Sequence, residues 1–206
     1  MKKKKSKVWA LTGSIATGKS TVSKYLSENF GIKILDADLV GHEVLKEERI
    51  IQSIAQVFGK EVIKNGSIDR KLLGEMVFSD RSKLAVLNSI VHPELIKSAM
   101  AEIKTLSQSG PVIFEAAILI EAGWHEHFEK IIITTCDKDV QLKRVMERNG
   151  FTLEEAQARV SSQLTIDEKI KFGDYIIDTT KGFESCIEIL KDVGLKMTEN
   201  DSEKKS

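Results

Sequence analysis

Short apolar runs alternate along this chain with longer segments in which apolar residues recur every three or four positions. Val8 to Thr12, Ile32 to Asp36, Val112 to Glu115, Lys130 to Thr135 and Tyr175 to Asp178 are brief, rich in β-branched residues and several are nearly continuously apolar, the pattern of strands covered on both faces. Helical period occupies Thr21 to Asn29, Ser82 to Ile90, Glu94 to Leu106 and a stretch from about Asp139 to Asn149 that Gly150 closes. Thr152-Leu153-Glu154-Glu155 has the form of a capping box opening a further helix, so the last two helices make a hairpin. Alternation of this kind predicts an α/β fold with a mainly parallel sheet. The long interval between the second and third strands offers only Glu61 to Ile63 as a strand and otherwise reads as helices, hence as a helical insertion. Pro93 marks a helix start there, and Pro111 a loop before a strand. With no internal repeat and no linker, the 206 residues predict one domain.

Composition narrows the partners. Basic and acidic side chains number 31 each, so no overall field favours nucleic acid or an anionic membrane, and any affinity for polyphosphate must be local. The lysine run after Met1 is followed by only Val8 to Leu11 as an apolar stretch, too short for an export signal, and no window approaches the roughly 20 apolar residues of a membrane span. Cys136 and Cys186 are too few and too separated for a disulfide framework or a zinc site and read as core packing in a reducing compartment. The expectation is a cytoplasmic protein.

The clearest chemistry lies in Gly13-Ser14-Ile15-Ala16-Thr17-Gly18-Lys19-Ser20, which matches G-x-x-x-x-G-K-[ST], follows an apolar strand and runs into a helix. Glycines at these positions let backbone N–H groups converge on phosphate oxygens, and the following helix points its positive end at the same place. Lys19 adds a mobile charge for the β- and γ-phosphates, the Ser20 hydroxyl suits Mg²⁺, and Thr21 suits the α-phosphate, so a nucleoside triphosphate is the implied ligand. The second strand ends in Asp36-Ala37-Asp38, at the end of a strand where open α/β sheets bind ligands. One carboxylate there can accept the proton of an attacking hydroxyl while the other supports a hydrated metal; the alternative, a helix N-cap for a helix beginning near Leu39, accounts for Asp38 but not for Asp36. Arg144 and Arg148, four apart on one helical face, suit a transferring phosphoryl group, or else a solvated basic face.

Taken with His92-Pro93 in the insertion, Ile118-Leu119-Ile120-Glu121 after the third strand, Gln141 to Arg148, Arg159, Gln163, Glu168-Lys169 and Gly173-Asp174, these motifs resemble the dephospho-coenzyme A kinase family over about residues 7 to 190. The resemblance implies a P-loop kinase core with a five-stranded sheet, a helical coenzyme-A-binding insertion and a helical lid. ATP, with Mg²⁺, would phosphorylate the ribose 3′-hydroxyl of dephospho-coenzyme A to give coenzyme A. By that match Asp38 is the base, with Lys19 and Arg144 also catalytic; Gly13, Ser14, Ala16, Thr17, Gly18, Lys19, Ser20, Thr21, Arg144 and Arg148 bind ATP. Asp38, His42, His92, Glu121, Arg159 and Gln163 bind the acceptor, and Ser20 and, through water, Asp36 serve the metal. The expected boundaries are a core at 7–57, 110–143 and 173–193, an insertion at about 58–109, a lid at about 144–172 and flexible tails at 1–6 and 195–206. The chain is expected to act as a monomer or weak homo-oligomer.

Several positions depart from the family pattern. Ser14 and Ala16 replace glycines, His42 replaces an arginine, Ala117 stands where a Pro-Leu-Leu motif starts, and Asp178-Thr179-Thr180 replaces an Asp-Asn pair near the adenine pocket. Two other readings stay open on the residues alone: a P-loop kinase for a nucleoside monophosphate or another small metabolite, and a regulatory module that binds ATP without transferring phosphate. No Asn-Lys-x-Asp guanine-reading motif is present, which argues against a GTP switch.

Overall fold

The computed structural model describes residues 7–78 and 80–199. In chain order its elements begin with strand β1 (Val8–Gly13), helix α1 (Lys19–Phe30), β2 (Lys33–Asp36), α2 (Ala37–Val44) and α3 (Glu48–Phe58). A two-strand ribbon of β3 (Ile63–Lys64) and β4 (Ser67–Ile68) precedes α4 (Arg70–Phe78) and α5 (Arg81–Leu106). Then come β5 (Val112–Glu115), β6 (Ile131–Thr135), α6 (Lys138–Asn149), α7 (Leu153–Ser161), α8 (Ile166–Lys169), β7 (Tyr175–Asp178) and α9 (Ile187–Thr198). Among the described residues no helix is long and apolar enough to cross a membrane.

The chain divides into two compact units, Asp36–Glu102 and the remainder. In the larger unit the five expected strands form one parallel sheet in the order β2-β5-β1-β6-β7. Near-continuous apolarity is explained by cover on both faces. Trp9, Leu11, Ile113, Ile132 and Ile177 pack against Val22 and Leu26 of α1 and Leu190, Val193 and Met197 of α9. Residues of alternate parity, Ala10 and Phe114 among them, are equally buried, and Phe114 stacks on Phe128 at 5.3 Å between ring centres. Helix α9 runs to Thr198, past the expected start of a flexible tail at 195, because Met197 is buried in this core. The helix α1 begins at Lys19, with Gly18 as its left-handed N-cap residue.

The smaller unit is helical apart from the β3–β4 ribbon. Its turn is Asn65-Gly66, with φ of 52° and 76°, the backbone that a two-residue hairpin requires. The strand expected at Glu61 to Ile63 is instead a 3₁₀ turn, Lys60–Val62, leading into β3. Buried Ile50, Ile54 and Phe58 recur along one face of α3, and Asp69 caps α4 through its Oδ1, which accepts from Lys71 N and Leu72 N at 3.1 Å each. Pro93 does not start a helix: it lies inside the continuous α5. Its missing N–H costs one bond, and Leu95, Ala99 and Ile103 beyond it are buried, so packing on that side carries the helix through. The helical insertion expected at about 58–109 and the compact unit at Asp36–Glu102 thus differ at both ends, since α2 and α3 belong with the smaller unit.

Candidate active site

The loop between β1 and α1 is held open by contacts to its own carbonyls and to β6. Gly13 sits at φ 154°, where a side chain would run into Thr134 and Thr17, so only glycine lets β1 turn this close to β6. Thr17 Oγ1 donates to Ser14 O at 2.8 Å and lies 2.7 Å from Thr134 Oγ1. Ala16 adopts φ 59°, in the left-handed region that favours glycine. Lys19 Nζ donates to Gly13 O at 3.0 Å and Ser14 O at 3.2 Å, which holds its charge along the loop.

A cavity of about 730 Å³ is lined by Ala16, Gly18, Lys19, Ser20, Thr21, Arg144, Glu147, Arg148, Thr179 and Phe183. Seven of these are nucleotide-binding residues expected from the sequence. Glu147, Thr179 and Phe183 are not, and Thr179 explains how Arg144 is aimed. Asp178 Oδ1 accepts from Thr180 N at 2.9 Å and Thr180 Oγ1 at 2.6 Å, bonds that hold its carboxyl below the usual range and shape the turn that buries Thr179. Thr179 then receives both guanidinium nitrogens of Arg144, at Oγ1 (2.8 Å) and at its carbonyl (2.7 Å), while its hydroxyl shares contacts of 3.1 Å with Thr17 O and Thr135 O. Arg144 is therefore anchored to the nucleotide loop, and Arg148 is exposed on the next turn of α6. Burial pushes the neighbouring Cys136 thiol up, although the Arg144 charge opposes this.

Ser20 Oγ lies 3.5 Å from Oε1 of Glu115, a nearly buried carboxylate at the end of β5. Sequence reasoning missed Glu115, although an apolar strand ending in an acid beside a P-loop strand is the signal for a carboxylate in the metal shell. A hydroxyl and one carboxylate fit Mg²⁺ bound largely through phosphates and water. Among the described residues no group of three or more His, Cys, Asp or Glu could hold a metal unaided.

In the smaller unit Asp36 and Asp38 prove to have exchanged structural parts. Helix α2 begins at Ala37, two residues before the expected start, so its N-cap is Asp36, whose Oδ1 accepts from Asp38 N at 2.8 Å. Asp38 is an exposed first-turn residue lining a cavity of about 520 Å³ with His42, Arg70, Leu73, Leu87 and Leu95. His42 Nε2 lies 2.7 Å from a guanidinium nitrogen of Arg70, which comes from another helix. His92 is half-buried on α5, and desolvation lowers its pKa below 6.5.

Three expected acceptor contacts lie elsewhere in the larger unit. Glu121 is engaged by fully buried Lys169, Nζ to Oε1 2.9 Å, and also accepts from Leu164 N at 3.1 Å; Lys169 further donates to Ala117 O at 2.8 Å. Arg159 is exposed on α7, its guanidinium 5.8 Å from the Phe151 ring centre. Gln163 accepts from Ile15 N in the phosphate loop, at 2.8 Å.

A family model described as dephospho-CoA kinase matches residues 7–184. The chain is 41% identical over 182 residues to the dephospho-CoA kinase of Carboxydothermus hydrogenoformans, covering 86% of this chain and 88% of that one. Among solved structures, TT1252 from Thermus thermophilus has a TM-score of 0.79 at 30% identity, over 95% of this chain and 100% of its own. The dephospho-CoA kinase from Campylobacter jejuni has a TM-score of 0.69 at 29% identity, over 92% of this chain and 98% of its own.

Proposed function

We propose, from the premise that this chain belongs to the dephospho-CoA kinase family, a division of labour among its residues. The chain is a dephospho-CoA kinase, catalysing the final step of coenzyme A biosynthesis. ATP is the phosphoryl donor and the ribose 3′-hydroxyl of dephospho-CoA the acceptor. The observation that carries the donor side is the cavity in which Lys19, Ser20, Arg144 and Arg148 converge on the α1 N-terminus. Backbone N–H groups of the loop bind the phosphate chain, and Lys19 and Arg144 neutralise charge that grows on the transferring group. Arg144 reaches that position because Thr179 holds both its nitrogens. Ser20 and Glu115 are the residues that would hold Mg²⁺, with Asp36 acting through water; when bound, the ion offsets negative charge on the β- and γ-phosphates. Asp38 takes the proton from the acceptor hydroxyl, and its exposure leaves its side chain accessible for that work. The apolar cavity beside Asp38 suits the pantetheine arm of the acceptor. Helices α6 and α7 form the lid over the phosphates. Proposed too are a cytoplasmic location and a monomer or weak homo-oligomer.

The test is an acceptor panel of dephospho-CoA, nucleoside monophosphates, shikimate and gluconate with ATP·Mg²⁺, followed by location of the phosphate in the product. Transfer to dephospho-CoA at the ribose 3′-oxygen, well ahead of the rest, is expected. Preferential transfer to a nucleoside monophosphate would sink the acceptor assignment while leaving the donor site intact.

A further inference from the structure

Ile15 occupies the middle of the phosphate loop, and both of its backbone groups are taken by side chains remote in sequence. Its N–H donates to Gln163 Oε1, and its carbonyl accepts from Gln141 Nε2, each at 2.8 Å. The amide orientations follow from the partners, since a backbone N–H must meet the carbonyl oxygen of one glutamine and a backbone carbonyl the NH₂ of the other. Gln141 is buried on α6, and Gln163 stands just beyond α7, so each arm of the helical hairpin supplies one bond. Packing adds to this: Ile15 and Ala16 lie against the hairpin's own core of Leu142, Val145 and Ala156.

The residue after Ile15 is the strained one. Ala16 holds φ 59°, a conformation that a side chain disfavours and that glycine adopts freely. A loop with alanine there needs its neighbours to keep it in place. We infer that Gln141 and Gln163 are positioning residues for phosphoryl transfer: by fixing Ile15 from both sides they hold Ala16 in the left-handed turn and so keep the loop's N–H groups converged on the nucleotide phosphates. The inference rests on reading Gly13 to Ser20 as the phosphate cradle. It assigns Gln163 to the donor site and not to the acceptor, and it makes the hairpin a strut for the loop as well as a cover.

The test uses the full chain, with ATP·Mg²⁺ affinity measured by calorimetry without acceptor, and with kcat and the KM for each substrate measured alongside melting temperature. Gln163→Met and Gln141→Met keep length and lose the bond. Each weakens ATP·Mg²⁺ binding by about 3- to 10-fold, with the KM for dephospho-CoA unchanged. Adding Ala16→Gly to either variant restores most of the lost affinity, because glycine holds the turn without help. A purely structural defect would lower the melting temperature without that restoration. Should Gln141→Met not fold, Gln163→Met, at a half-buried position, carries the same comparison. Unchanged ATP affinity with a raised KM for dephospho-CoA in Gln163→Met overturns the inference, as does a loss of affinity that Ala16→Gly leaves untouched. Undiminished ATP binding in Lys19→Ala would remove the cradle itself, and the inference with it, and so separates the two failures.

Discussion

Two aspartates two positions apart illustrate how far a residue's chemistry can be read before its backbone is known. Both look alike in sequence, yet Asp36 caps α2 and Asp38 stands free in the first turn. Asp38→Asn keeps shape and removes the proton acceptor, so turnover should fall by about 10²- to 10⁴-fold with ATP affinity little changed. Asp36→Asn retains a side-chain oxygen for the cap, so the fold should hold and the effect should appear as a raised Mg²⁺ requirement. Glu115→Gln should raise that requirement further, since its oxygen is the one beside Ser20 Oγ. Titrating Mg²⁺ against turnover separates the three; rescue of Asp38→Asn by metal, with none for the other two, would reverse the assignment. Lys169 poses a different residue-scale question, because it is wholly buried against a carboxylate that is 22% exposed. Lys169→Met leaves Glu121 without its counter-ion and should cost about 3 kcal/mol, whereas Lys169→Met with Glu121→Leu should recover most of it. Denaturant unfolding checks this, and additive losses in the double variant would show that the pair does not interact.

At the scale of elements, the periodicity of apolar residues located the five strands of the main sheet to within a residue or two, because the three central ones, β1, β5 and β6, bury both faces and leave little ambiguity. Capping signals worked equally well where they were local: Thr152 Oγ1 accepts from Glu155 N at 3.3 Å, and Glu155 Oε2 accepts from Thr152 N at 2.8 Å. A second box, Thr165 with Glu168, opens α8 in the same way and was equally open to reading. Pro93 misled because a proline signals a break only when nothing on either side compensates. Gly194 was silent in sequence: it lies inside α9, where glycine is unfavourable, yet a Cβ there would meet the Phe30 ring at the end of α1. Gly194→Ala should therefore destabilise by about 1 to 3 kcal/mol through overpacking, outweighing the gain in helix propensity of about 1 kcal/mol. A thermal melt decides it, and a rise in melting temperature would mean that Phe30 swings aside freely.

For the whole molecule, one pH dependence follows from burial. Desolvation holds the folded-state pKa of His92 below 6.5, so the unfolded chain takes up that proton first as pH falls. The stabilisation is complete above pH 6.5 and is lost through the window below it. His92→Gln should flatten the fall in melting temperature over that window, and an unchanged slope would locate the acid sensitivity in the carboxylates instead. Sequence alone determined the fold class, the five strands of the main sheet, the phosphate loop and the family, because these depend on local pattern: apolar runs for buried strands, and fixed spacing for a loop whose own backbone is the ligand-binding surface. Only the tertiary structure decided what Glu121, Gln163, Thr179 and Glu115 touch. Their partners are Lys169, Ile15, Arg144 and Ser20, between 35 and 148 positions away in the chain, and no local pattern encodes such meetings. The sheet order brings them together, by placing β1 between β5 and β6, so that the loop after β1 meets the ends of strands far from it in sequence.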